Sequence, residues 1–242
     1  MRSFLALTRR ELGTYFVSPV AYVILTALLF ITGTAFSDMV EQTVNKVAPF
    51  EYGGTLVVIA WILTITSPLV TMRLVAEEKS RGTIEIALTA PVSDAQWVLA
   101  KFAAAVVLLA FLALPTAGFA VIVSRYGQVD AGAVACGYLG VILVGSLAYS
   151  IGLFISSLCS NQITAGIITF TVSFILLVTS ILLGQVGPSS IWWKLLEHVD
   201  LSSSYGDFVR GILDAQRLVY LLSGTAFFLF LSVRVVESRR WR

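Results

Sequence analysis

Residues 76–101, AEEKSRGTIEIALTAPVSDAQWVLAK, hold seven charged side chains: Glu77, Glu78, Lys79, Arg81, Glu85, Asp94 and Lys101. The rest of the chain makes that density unusual, because only 12% of its 242 residues are charged and 57% are hydrophobic. Long uncharged runs flank the segment on both sides. A charged island between two such runs marks a place where a chain leaves a bilayer and turns back into it.

Composition supports that reading. Soluble domains are about 45–50% apolar and about 25% charged, and a mean hydropathy of +0.90 lies far on the apolar side. A soluble protein with this surface would expose patches that aggregate. A net charge of +2, with no basic cluster interleaved with aromatics, gives no footprint for nucleic acid. Cys136 and Cys159 lie 23 residues apart in apolar sequence. On one helix that is roughly 35 Å, beyond disulfide reach, so both read as small buried hydrophobes. His198 stands alone beside Glu197 and reads as a solvated loop residue, not a metal ligand.

Six spans follow from the charge-free runs: 17–36, 52–72, 102–124, 132–158, 163–184 and 218–236. The fourth and fifth come from one uncharged stretch, Ala131 to Trp193, broken at the polar turn Ser160-Asn161-Gln162. The first run is as long as a span and longer than a signal-peptide core, so the expected mature chain starts at Met1. Lys and Arg set the orientation. With the N-terminus inside, eleven of them face the cytoplasm and five face out, which favours both termini inside. Residues 1–16 put Phe4, Leu5, Thr8, Leu12, Tyr15 and Phe16 on one side, with Arg2, Arg9 and Arg10 opposite. That pattern fits an amphipathic helix in the cytoplasmic interface.

Within 73–101 the start and stop signals agree with one another. Glu77 to Arg81 continue the second helix, and Gly82 lets the chain turn. Thr83 caps a short helix, Ile84 to Thr89, on which Ile84, Ala87 and Leu88 share a face. Pro91 ends it. Ser93 opens the next helix with Gln96 as its capping-box partner, and Val92 and Trp97 have the spacing of a hydrophobic staple. A short helix braced on the cytoplasmic face suits docking into a partner's groove.

On the fourth span Gly145, Ala148, Gly152 and Ser156 form a narrow arc of small residues. Such an arc suits close helix packing within the chain, or alternatively a subunit interface or pathway wall. In the outer segment 185–217, Ser204 and Asp207 have the spacing of a capping-box start, and Arg210 and Asp214 that of an i,i+4 pair on the next helix. Two short helices on the outer leaflet are expected there.

The missing motifs narrow the function. No phosphate-binding G-x-x-x-x-G-K-[ST], H-E-x-x-H or G-x-S-x-G occurs. With the spans drawn as above, none of the first five contains a charge, and Arg234 and Glu237 lie at the inner end of the sixth. Ion channels, proton-coupled carriers and intramembrane enzymes are disfavoured, and an energy source outside the chain is required. Spans without charge suit an apolar or lipid-like cargo.

MRLVAEEKSRGTIEIALTAPVSDAQWVLAK (72–101) resembles the hallmark loop of ABC-2 type permeases, with the closest likeness to the gliding-motility, GldF-like branch. Arg10-Glu11-Leu12 with Ser18-Pro19, the Ser156-Ser157-Leu158 and Asn161-Gln162 turn, and Gly211-Ile212-Leu213-Asp214 extend the likeness. The resemblance implies an all-α polytopic membrane protein, type V exporter-like, forming a single domain over 1–242. Its parts would be a connecting helix (1–16, with Arg9 and Arg10), a coupling loop (73–101) and an outer re-entrant segment (185–217). It implies a non-catalytic subunit of a bacterial inner-membrane exporter, with no cofactor of its own. ATP and Mg²⁺ would sit on a partner ABC ATPase, and Thr83, Ile84, Leu88, Thr89 and Pro91 would seat in its cleft with Glu77, Arg81 and Glu85 at the rim. The second permease would be a GldG-like partner or another copy. A mechanical or assembly module for the cell envelope, working without solute transport, is the alternative.

Overall fold

The computed structural model describes residues 2–45, 52–83, 92–125, 130–183 and 200–239. These residues are helical, with no strand among them. The helices are α1 (Arg2–Val17), α2 (Pro19–Val44), α3 (Tyr52–Thr71), α4 (Ala76–Ser80), α5 (Asp94–Ala113), α6 (Ala117–Ser124), α7 (Ala131–Leu158), α8 (Gln162–Leu183), α9 (Leu201–Val209) and α10 (Ala215–Arg239). A 3₁₀ turn, Leu114–Thr116, joins α5 to α6. Six of the resulting helical segments are long and apolar enough to cross a membrane.

Cross-contacts establish an up-and-down bundle. Ser18, at the start of α2, meets Arg73 beyond the end of α3, whereas Met39 near the end of α2 meets Thr55 at the start of α3. Tyr52 reaches Thr116 past the end of α5. Ser67 meets Ser173 between α3 and α8, and Phe154 packs against Phe228 between α7 and α10. One end of the bundle therefore holds α1, α4, the α7–α8 turn and the C-terminal end of α10. The opposite end holds α9 and the ends of α2 and α6.

Helix α7 is the centre. Sixteen of its 28 residues are buried, and it packs against α3, α5, α8, α9 and α10. Small residues permit this. A Cβ on Gly145 would lie 2.5 Å from Leu109 of α5, and one on Gly152 would collide with Thr71 of α3. Ala148 is buried between these two positions. The arc read from the sequence is filled by helices of the same chain.

Local signals account for most boundaries. Ser18 caps α2, whose first residue is Pro19, where a missing N–H costs nothing. The Ser93 hydroxyl accepts from the Gln96 amide at 3.3 Å to start α5. Asp130 caps α7 through Gly132 at 2.8 Å. Asn161 accepts from the Ile163 amide at 2.9 Å beside the start of α8.

Several expectations need correction. Helix α2 runs to Val44 instead of ending near 36, because Ser37, Asp38, Glu41 and Gln42 continue the helix as a polar last stretch. Helix α5 begins at Asp94, as the Ser93 cap predicts, so the helix starts eight residues before the expected charge-free span and Lys101 lies inside it. The second helix does not continue through Glu77–Arg81. It stops at Thr71, and α4 restarts separately at Ala76. Ser204 does not open a helix, since α9 has already begun at Leu201. Arg210 and Asp214 share no helix: Gly211, at φ 78°, breaks the chain between them, and Asp214 instead accepts from the Gln216 amide at 3.0 Å near the start of α10. The remainder of the outer segment, 184–199, lies outside the described residues, and His198 with it.

The close approach of α7 to α3 carries a stability consequence. Thr71 is buried, β-branched and tied by its hydroxyl to Ser67 O at 2.9 Å, so it yields poorly to an added methyl. Gly152→Ala is expected to destabilise the protein by about 1–3 kcal/mol through overpacking. Gly118→Ala, where nothing stands within 4 Å, is expected to be neutral or stabilising. Thermal unfolding followed by size-exclusion chromatography in detergent separates the two.

Candidate functional site

Two features of the charged end stand out: a helix restart capped from outside its own sequence, and a buried lysine. Both converge on α4.

A helix that restarts after a break exposes N–H groups that need partners. Val75 occupies the N-cap position of α4 and has no side chain to offer. The hydroxyl of Ser156, more than 80 residues along the chain, substitutes for it. Ser156 Oγ accepts from the amides of Ala76 at 3.0 Å and Val75 at 3.2 Å. It also lies 3.4 Å from Met72 O, to which it can donate. In return, Lys79 Nζ of α4 donates to the Ser157 carbonyl at the end of α7, where a helix is short of donors and favours a cation. Each helix thus caps the other. At its far end α4 closes in a Schellman turn. Thr83 N–H donates to Glu78 O at 3.0 Å and Gly82 N–H to Lys79 O at 3.1 Å, with Gly82 at φ 68°.

Lys101 is 2% exposed. Its ammonium donates to Glu78 Oε1 of α4 at 2.7 Å and to Glu11 Oε2 of α1 at 3.1 Å. It also lies 4.8 Å from the ring centroid of Trp97, within cation–π range. Arg10 closes the cluster through Glu11 at 2.8 Å and Glu78 at 3.8 Å. That hydrogen bond with Glu11 raises the Arg10 pKa, against the opposing effect of burial. Three helices distant in sequence are therefore joined by one desolvated cation and its carboxylates. Such a group is costly to bury and is held only because its partners are fixed around it.

The expected site residues fall into separate groups. Glu77 and Arg81 pair at 2.7 Å on the outer side of α4, an exposed i,i+4 pair that contributes little stability. The Thr83 hydroxyl meets Glu78 O at 3.3 Å. Arg9 is exposed on α1, while Arg10 joins the cluster. Gly145, Ala148 and Gly152 face α5 and α3, and Ser156 caps α4. Ile84, Glu85, Leu88, Thr89 and Pro91 lie outside the described residues. A cavity of about 310 Å³ opens between α1, the start of α2, the end of α3 and α4. Among the described residues no group of His, Cys, Asp and Glu could hold a metal ion.

The sequence reading missed the buried roles of Glu11, Glu78 and Lys101, and the capping role of Ser156. A signal for Lys101 was present: a cap at Ser93 places it two turns inside α5. Glu11 is the only acidic residue before Asp38, which marks it as unusual without naming its partner.

Two outcomes test this arrangement. Lys101→Met strands two carboxylates and is expected to destabilise the protein by about 3–5 kcal/mol, as when one member of a buried ion pair is removed. The triple replacement Glu11→Gln, Glu78→Gln, Lys101→Met should recover much of that loss in thermal unfolding. Ser156→Ala removes the cap on α4 at a cost of about 1 kcal/mol. It should speed hydrogen exchange at 75–80, whereas Ser150→Ala, whose hydroxyl bonds only Leu147 O of its own helix, should not.

Similarity to known proteins agrees with this architecture. Two curated relatives are the Probable multidrug ABC transporter permease YbhR of Escherichia coli strain K12 and its counterpart in Escherichia coli O157:H7. Each is 31% identical over 158 residues, which is 64% of this chain. The matched region is 41% of each relative's length, so this chain corresponds to less than half of either. Residues 36–234 match the family described as ABC-2 family transporter protein, and with most of its length inside that match the chain belongs to the ABC-2 family of transporter proteins.

Proposed function

We propose that this permease couples ATP hydrolysis on a separate ABC ATPase subunit to movement of an apolar or amphipathic substrate across a bacterial cytoplasmic membrane. Both termini and the 73–101 segment face the cytoplasm in this reading, supported by the excess of Lys and Arg at the α1, α4 end. The observation that carries it is the reciprocal capping of α4 and α7. Residues 84–89, the expected ATPase-docking helix, follow α4 closely in sequence. A push on that segment reaches α7 through Ser156 and Lys79, and α1 and α5 through Glu78. Since α7 is the central helix, the displacement bears on the whole bundle. Glu77, Arg81, Thr83, Ile84, Glu85, Leu88, Thr89 and Pro91 form the docking surface in this scheme, with ATP and Mg²⁺ on the partner. Helix α1 acts as the connecting helix in the interface, and α9 belongs to the outer closing element.

A transporter of this kind works as a pair of permeases, either two copies or this chain with a second, GldG-like subunit. The substrate class is drawn from the uncharged character of most of the spans and from the multidrug description carried by the relatives. A second reading, a mechanical module of a cell-envelope or gliding-motility-type machine, is favoured by the likeness of 72–101 to the GldF-like loop. It uses the same lever and differs only in its load.

Co-expression with the cognate ATPase tests the docking surface. Leu88→Arg is expected to lower recovery of the complex and its ATP turnover, while Arg125→Gln, at the opposite end, should leave both unchanged. Equal recovery and turnover for Leu88→Arg refutes docking through this helix. ATP-dependent efflux of an amphipathic dye from proteoliposomes supports transport. ATP turnover without flux of dye or lipid supports the mechanical module.

A further inference from the structure

The 310 Å³ cavity between α1, α2, α3 and α4 has an unusual balance of polar groups. Four cations, Arg10, Arg73, Arg81 and Lys101, lie on or behind its wall against three carboxylates, Glu11, Glu77 and Glu78. Each carboxylate has a cation within 4 Å: Glu11 and Glu78 share Lys101 and Arg10, and Glu77 has Arg81. Among the described residues Arg73 is the one of these four cations with no carboxylate within 4 Å. There its side chain donates from Nη1 to Ser18 Oγ at 3.1 Å, and a guanidinium has five donors.

Five buried side-chain polar atoms among the described residues lack a hydrogen-bond partner, and two of them belong to this wall. They are opposite in kind: Arg73 Nε is a donor and Glu78 Oε2 an acceptor. Arg73 and Glu78 both line the cavity, so it suits a ligand that accepts at one point and donates at another. The wall also includes Ser18, the N-cap of the 26-residue α2. The C-terminal end of α1 meets the N-terminal end of α2 here, so their dipoles oppose and Arg73 supplies the attraction for an anion. Tyr15 completes this side with a phenol that can donate.

Position limits the ligand further. Ser18 and Pro19 form the entrance to the first membrane-crossing helix, so the cavity opens at the depth where headgroups lie. We propose that it binds the phosphoethanolamine headgroup of a membrane phospholipid, with the phosphate on Arg73 and the ammonium turned toward Glu78. Both residues line the cavity. A phosphocholine headgroup carries the same phosphate, but its quaternary nitrogen has no N–H to donate. A phosphoglycerol headgroup donates through hydroxyls and brings no positive charge to Glu78. The proposal does not depend on coupling to an ATPase.

The test is lipid retention by the full-length permease in nanodiscs, read by native mass spectrometry after exchange into detergent. Phosphatidylethanolamine should be retained about tenfold over phosphatidylcholine, the scale expected when one charge-assisted hydrogen bond is lost. Arg73→Gln should lower retention of both lipids, which share the phosphate, while Arg125→Gln, at the opposite end, should leave retention unchanged. Equal retention of phosphatidylethanolamine and phosphatidylcholine, or unchanged retention of both in Arg73→Gln, overturns the proposal. Preference for phosphatidylglycerol overturns the ammonium contact. Soluble glycerophosphoethanolamine that displaces the lipid at equal concentration would assign the site to a free phosphodiester and overturn the lipid reading. If Arg73→Gln does not fold, the ranking of lipids on the wild-type chain decides alone.

Discussion

The charged end depends on one constraint: a helix that breaks beside a bilayer must find partners for its free backbone groups. The chain stops at Thr71 and restarts at Ala76, and nothing in 72–75 caps the restart. The Ser156 hydroxyl does so from α7, and Lys79 returns the contact to the last turn of α7. Without this exchange α4 would be a five-residue helix with no reason to hold its place, since isolated helices of that length are unstable. With it, α4 becomes an extension of the central helix.

Lys101 adds a second constraint of a different kind. The capping bonds are directional contacts to backbone groups, one set neutral and the other donated by the Lys79 ammonium, whereas Lys101 is a charge almost wholly removed from water. In its stability contribution desolvation offsets attraction. Its contribution to specificity is clearer. One ammonium must be met by Glu11 from α1 and Glu78 from α4 together, so the two helices cannot shift independently against α5. A junction that resists such shifts transmits motion from a docking segment better than an apolar contact that can slide.

The two ends of the bundle solve similar problems with different chemistry. At the charged end an ion cluster and reciprocal caps hold α4. At the other end α9 is held by Tyr205, whose hydroxyl donates to Leu56 O at 3.0 Å and lies 3.4 Å from Gly137 O, and by Phe208, buried against α7. Asp207 and Arg217, 3.6 Å apart, tie α9 to the start of α10. Tyr52, Tyr138 and Thr116 bond one another at about 3 Å beside the 3₁₀ turn at Pro115, where the proline interrupts regular helical bonding. Both ends stop a short helix at a left-handed glycine, Gly82 and Gly211. The same backbone device therefore serves a charged junction and a largely apolar one.

Six membrane-crossing segments, the α7–α8 turn and the start of α5 at Ser93 were all legible in the sequence. Hydropathy, caps and turn residues act over a few neighbours, and those neighbours are adjacent in the chain. The end of α2 was not legible, because charge marks the limit of a span, while a helix continues past the point where its surroundings change. The charge cluster was not legible, because Glu11, Glu78 and Lys101 are separated by up to 90 residues and nothing local to any of them names the others. Ser156 was legible only as a small residue on a packing face. That its hydroxyl caps another helix was decided by tertiary structure, since a cap donated across 80 residues depends on where two helices cross and not on the order of residues around either.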